Sequence, residues 1–104
     1  MGKDGPPEHY RKLNERFPEF MRAVQNLGKT AQESGPLDEK TVLLIQLGAA
    51  AADRSEGSVR SHVRRALAAG AEEAEIQHAL LAVTSTIGFP NVAAALNWAH
   101  KELD

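Results

Sequence analysis

The chain has no cysteine among its 104 residues. That excludes a disulfide framework, a thiolate metal site and any thiol chemistry of its own. Aromatics are few, namely Tyr10, Phe17, Phe20, Phe89 and Trp98, and runs of β-branched residues are absent. No segment therefore shows a strand pattern. The longest apolar run, Val42 to Ala52, is interrupted by Gln46 and is far too short to span a bilayer. Neither sign of charge dominates: the formal net charge of −2 gives no general affinity for nucleic acid or for an anionic membrane. The opening Met1-Gly2-Lys3-Asp4-Gly5-Pro6-Pro7 lacks the apolar core of a signal peptide. A cytoplasmic protein with no nucleic-acid and no membrane partner is expected.

What is present points to helices. Hydrophobic residues at 42% and charged residues at 25% are ordinary for a soluble globular chain of one domain. Alanine is abundant, and alanine-rich faces favour helices packed closely together. Residues 1–9 are expected to form a disordered N-terminal tail, Gly- and Pro-rich over 1–7, and residues 10–104 the domain. From Tyr10 an apolar series, Leu13, Phe17, Phe20, Met21, Val24 and Leu27, recurs at helical spacing. Pro18 divides it into a short helix and a longer one over about 18–32. Ser34-Gly35-Pro36 is a break, after which Asp38 can cap a helix over about 38–53. That helix is apolar nearly all round, which predicts a central, buried position. The next is expected over 56–69, with Val59, Val63, Ala66 and Leu67 inward and Gly70 as its stop. Glu72, Glu73 and Glu75 open another, running without interruption through Ile76, Ala79, Leu80, Val83 and Ile87. Gly88-Phe89-Pro90 precedes a last helix over about 90–103, with Val92, Ala95, Leu96 and Ala99 as its apolar seam. The fold class predicted is all-α, with five to six helices.

Chemistry concentrates in Arg54-Ser55-Glu56-Gly57-Ser58-Val59-Arg60-Ser61-His62. Ser55, Ser58 and His62 fall at i, i+3 and i+7, on one stripe of a helix. Cysteines at the two serine positions would make a peroxidase arrangement, but serine is not oxidised by peroxide and forms no disulfide. His62 is the leading catalytic candidate, since an imidazole can act as acid or base near neutral pH. The competing reading is a buried histidine hydrogen-bonded to its surroundings. Glu56 can assist His62 only if it precedes the first regular turn, because i+6 points away from i; otherwise it pairs with Arg60 at i+4. Ser58 reaches His62 at i+4. Ser55 either lines a polar pocket or caps the helix. A Ser–His nucleophile pair has no visible third group to orient it. Arg60, with Arg54, Arg64 and Arg65, can bind a small-molecule anion or form a solvated face. His78 and His100 have no ligand-spaced companions, so neither a metal nor a cofactor is expected.

Certain segments together carry a family resemblance. They are Arg16-Phe17-Pro18-Glu19-Phe20, Gly35-Pro36-Leu37-Asp38-Glu39-Lys40-Thr41, Ser61-His62-Val63-Arg64-Arg65-Ala66-Leu67-Ala68-Ala69-Gly70-Ala71, Glu75-Ile76 and Ile87-Gly88-Phe89-Pro90. Over roughly residues 17–103 the chain resembles the carboxymuconolactone decarboxylase family, which has the alkylhydroperoxidase-D-like fold. The resemblance implies an all-helical domain assembled into trimers or hexamers. In peroxidase members a C-x-x-C pair and a following histidine share one helix, and a glutamate from the preceding helix activates them. Carried over, the cysteines fall on Ser55 and Ser58, the histidine on His62 and the glutamate on Leu43. Peroxidase activity of the family type is therefore chemically improbable in this chain. The decarboxylase branch, which keeps the histidine and has glutamates upstream of it, is the better analogue. Glu56 corresponds to one of those glutamates, although Ser58 stands where that branch tends to have another carboxylate. The resemblance closest to hand is a cysteine-free subgroup with Glu-Gly-small-Val-x-Ser-His and no assigned activity. Two readings follow. One is acid/base chemistry on a small carboxylated or lactone-like molecule, with His62, Glu56 and Ser58 catalytic and Ser55 and Arg60 binding substrate. The other is a non-enzymatic oligomeric module that binds a ligand or partner.

Overall fold

The computed structural model describes residues 8–103. Of the disordered tail expected at 1–9, residues 1–7 lie outside the described residues, and Glu8 and His9 belong instead to the first helix, with Glu8 as the acid of its first turn. The described residues form six helices and one four-residue helical turn: α1 (Glu8–Arg16), α2 (Pro18–Gln32), α3 (Glu39–Ala52), α4 (Glu56–Ala68), α5 (Glu73–Leu81), α6 (Thr84–Ile87) and α7 (Phe89–His100). No helix among them is long and apolar enough to cross a membrane. The chain divides into two compact units, Met1–Leu37 and Asp38–Asp104.

In the first unit α1 and α2 pack on each other. Phe17 separates them, and Pro18 starts α2 at the position where a missing N–H costs nothing. The Asn14 amide bonds the Tyr10 carbonyl (3.1 Å). Along α2, Met21 is buried, while Phe20, Val24 and Leu27 are exposed.

In the second unit each helix start has a local cause. The Asp38 carboxylate accepts from the Thr41 N–H (2.9 Å) and caps α3. Glu72 and Glu75 form a reciprocal capping box at the start of α5. Gly70 and Gly88 adopt φ of +99° and +92°, ending α4 and opening α7 in a backbone region that side chains disfavour. α3 is the hub and packs on α4, α5 and α7. Leu43, Leu47, Ala50 and Ala51 of α3 meet Val59, Val63 and Ala66 of α4, Ile76 and Leu80 of α5, and Ala95 and Ala99 of α7. A Lys40–Glu75 ion pair (3.0 Å) links α3 to α5.

Leu67, expected inward on α4, is 36% exposed, and two larger expectations also differ from the outcome. The helix predicted to run unbroken to Ile87 stops at Leu81, and α6 begins at Thr84. There the Thr84 hydroxyl donates to the Leu81 carbonyl (2.7 Å), a local bond that competes with helix continuation. Val83 is also drawn close to α3, where a Cβ on Gly48 would meet its Cγ1 at 3.3 Å. The second difference concerns α3. Its neighbours in the unit cover one side, and Ile45 is left 57% exposed, with Ala49 and Ala52 exposed beside it.

Candidate functional site

The candidate residues lie on α4 and on the turn before it. Arg54 takes a left-handed backbone (φ 57°), which reverses the chain after α3. The Ser55 hydroxyl then accepts from the Ser58 N–H (3.2 Å), so Ser55 serves as the N-cap of α4. Beyond the cap α4 has three faces. Val59, Val63 and Ala66 point into the core. Ser58, His62 and Arg65 occupy one flank at i, i+4 and i+7. Glu56, Arg60 and Arg64 occupy the other at i, i+4 and i+8.

On the first flank His62 is half-buried. Its Nδ1 lies 2.8 Å from the Ser58 carbonyl oxygen and 3.3 Å from the Ser58 hydroxyl. A carbonyl oxygen only accepts, so Nδ1 carries the proton and donates. Nε2 then has the lone pair, and the Arg65 guanidinium stands 3.5 Å away as a donor to it. Burial holds the imidazole below its ordinary titration range. The backbone bond to Ser58 opposes that shift, and the positive charge of Arg65 adds to it. The ring is thus neutral at pH 7, with Nε2 as its basic nitrogen. Because Nδ1 donates, it takes no proton from the Ser58 hydroxyl, and the Ser–His pair is not arranged as a nucleophile and its base.

The second flank is an ion-pair network. Glu56 meets Lys101 (3.0 Å) and Arg60 (3.5 Å), and these cations hold its carboxyl below the usual range, Lys101 most strongly. The structure therefore gives Glu56 the Arg60 pairing weighed in the sequence, and records no bond from it to His62. Arg60 also donates through Nε to Glu102 Oε2 (2.6 Å), and Arg64 donates to the same oxygen (3.0 Å). Expected as an anion site, Arg60 instead has both an internal carboxylate and Glu56 on its guanidinium. The Glu102 side chain has no exposure, and its Oε1 has no hydrogen-bond partner.

Sequence reasoning missed Glu102, which lies 42 residues from Arg60. A signal existed: the Glu56–Arg60–Arg64 stripe carries two cations and one acid, so its second cation needed a carboxylate from elsewhere. Arg65 was placed among four arginines without distinction. The structure sets it apart, because it is exposed and touches His62. Among the described residues no carboxylate lies within ion-pair distance of it. No group of three or more His, Asp or Glu side chains there is placed to hold a metal ion.

The carboxymuconolactone decarboxylase family model matches residues 18–101, and the chain belongs to that family. A crystal structure of an apo carboxymuconolactone decarboxylase family protein from Legionella pneumophila is similar over 92% of this chain and 88% of that one, with a TM-score of 0.79 and 25% identity. Comparison with curated proteins finds no match.

Proposed function

We propose that this family member transfers protons at His62 on a small carboxylated or lactone-like molecule. The observation that carries the reading is the tautomer: Nδ1–H is tied to the Ser58 carbonyl at 2.8 Å and Nε2 is left basic. A neutral imidazole fixed in this way can take a proton from an acidic C–H or O–H and return it to carbon. Such a step suits the lyase chemistry in the family's name. Ser58 acts as the orienting group through its backbone, and Ser55 by starting the helix that holds both. Glu56 supports α4 through Lys101 and Arg60 rather than exchanging protons. We further propose assembly into trimers or hexamers, which would cover the exposed Ile45, Leu81 and Phe89. Peroxide reduction is not part of the proposal, since the chain supplies no thiolate.

One observation favours a second reading, a non-enzymatic ligand-binding module. Both cations that hold Glu56 keep its carboxylate on the flank away from His62. The two readings separate on solvent deuterium exchange into γ-lactone carboxylates, followed by NMR with the wild-type protein and with His62→Gln. The acid/base reading expects exchange in the wild type and a fall of roughly 10²–10⁴ in the variant. Equal exchange rates in the two proteins, or none in either, would leave the binding module.

A further inference from the structure

The three arginines in the body of α4 differ in what holds them. Arg60 and Arg64 converge on the buried Glu102 carboxylate. Arg65 is exposed, and its recorded side-chain contact is the long one to His62 Nε2. A guanidinium carries five donors in a planar fork that matches a carboxylate in bidentate fashion. At 3.5 Å the contact to Nε2 sits at the outer limit of a hydrogen bond and is a weak use of that capacity.

We propose that Arg65 is the carboxylate anchor of the His62 site, and that an incoming carboxylate draws the guanidinium off Nε2 and so uncovers the base. The proposal rests on the reading of His62 as the proton-transfer residue and adds the residue that holds the carboxylate and the order of events. A guanidinium–carboxylate pair makes two short charge-assisted hydrogen bonds where the imidazole nitrogen accepts one long one, so a carboxylate competes with Nε2 for Arg65. In the empty site the lone pair of Nε2 is covered by the guanidinium. In the occupied site it faces the atoms beside the ligand's carboxyl group. With Arg65 and Nε2 only 3.5 Å apart, the pair favours small carboxylates whose labile C–H or O–H lies close to the carboxylate. Neutral esters and amides of the same shape have nothing to offer Arg65. Arg65 is the charged side chain whose field acts on His62, so neutralising it with an anion also makes His62 easier to protonate.

The test is equilibrium binding, measured by NMR on the intact protein with two probes: the γ-lactone acid 5-oxotetrahydrofuran-2-carboxylate and its methyl ester. The acid is expected to shift the His62 ring resonances and the Arg65 guanidinium resonances, and to raise the pH at which His62 titrates. The ester is expected to do neither. Arg65→Met should weaken acid binding tenfold or more, and Arg65→Lys should recover part of it. His62→Gln should still bind the acid, because the anchor remains. Deuterium exchange unchanged in His62→Gln, with acid binding intact, would remove the proton-transfer reading and leave the anchor standing. Acid binding unchanged in Arg65→Met, ester binding as tight as acid binding, or no acid binding to the wild type would each overturn the anchor.

Discussion

The two flanks of α4 carry similar residue types and put them to opposite uses. On the Glu56–Arg60–Arg64 flank each charge meets another, and the network closes on Glu102 and Lys101 from the end of the chain. On the Ser58–His62–Arg65 flank there is no such charge pairing: His62 is tied to Ser58 at 2.8 Å, its Nε2 meets Arg65 only at 3.5 Å, and Nε2 and the guanidinium keep unused capacity. Charge on a helix does not by itself mark a site. What distinguishes the two flanks is whether their charged side chains already have partners of opposite charge among the described residues: Glu56, Arg60 and Arg64 do, and Arg65 does not. By that criterion the Glu56–Arg60–Arg64 flank braces the fold, and the Ser58–His62–Arg65 flank is the one proposed to meet a ligand.

The sharpest way to break this comparison is to remove its central residue on each side. His62→Gln should lower proton-transfer activity by roughly 10²–10⁴ and leave the denaturation midpoint nearly unchanged. Glu102→Ala should do the reverse. It strips a fully buried carboxylate from two arginines and should cost about 3 kcal/mol in urea unfolding. The low end of the range for a broken buried pair applies, since Arg60 and Arg64 keep 28% and 23% side-chain exposure and can rehydrate. Glu102→Gln, which keeps the shape and one acceptor, should lose less. A Glu102→Ala protein as stable as the wild type would show that the network contributes nothing, and the contrast between the flanks would fail.

A middle-sized effect tests the turn on which both flanks depend. Ser55→Ala removes the acceptor for the Ser58 N–H and should cost about 1 kcal/mol of stability. Because Ser58 also supplies the carbonyl that fixes the His62 tautomer, fraying there should broaden the His62 resonances as well. Loss of stability with an unperturbed His62 would separate the cap from the site. Arg65→Met should change stability by no more than about 0.5 kcal/mol, as for an exposed side chain outside any network.

Much of this was legible in the sequence, for reasons that can be named. Helical spacing from Tyr10 onward, the Ser34-Gly35-Pro36 break, the Asp38 and Ser55 caps and the Gly70 stop are local signals, and each stands where it was read. The Ser58–His62 contact is also local, a matter of i+4 geometry. What escaped was non-local. Glu102 reaches Arg60 across 42 residues. The interruption at Ala82–Val83 involves the approach of Val83 to Gly48. The exposure of Ile45 follows from which neighbours α3 has, a matter its own composition cannot decide. The separation of Arg65 from Arg60 and Arg64 is the consequence of Glu102, and so was hidden with it.

The smallest effect expected is the dependence of stability on pH that His62 imposes. Its folded titration point lies below the ordinary value of 6.5. As pH falls below 6.5 the unfolded chain binds a proton at this ring that the folded chain does not yet accept. Stability is therefore full above 6.5, declines as pH drops toward the folded value, and levels off once both forms are protonated. The ring is only half-buried, so the decline is shallow. Urea midpoints at pH 7.5 and pH 5.5 for the wild type and for His62→Gln isolate it, because His9, His78 and His100 are common to both and cancel. The wild type should lose more stability between the two pH values than the variant does. Identical losses would mean that the folded imidazole titrates as it does in the unfolded chain. Burial and Arg65 would then not hold His62 neutral, and the flank assigned to proton transfer would lose the property that separates it from its neighbour.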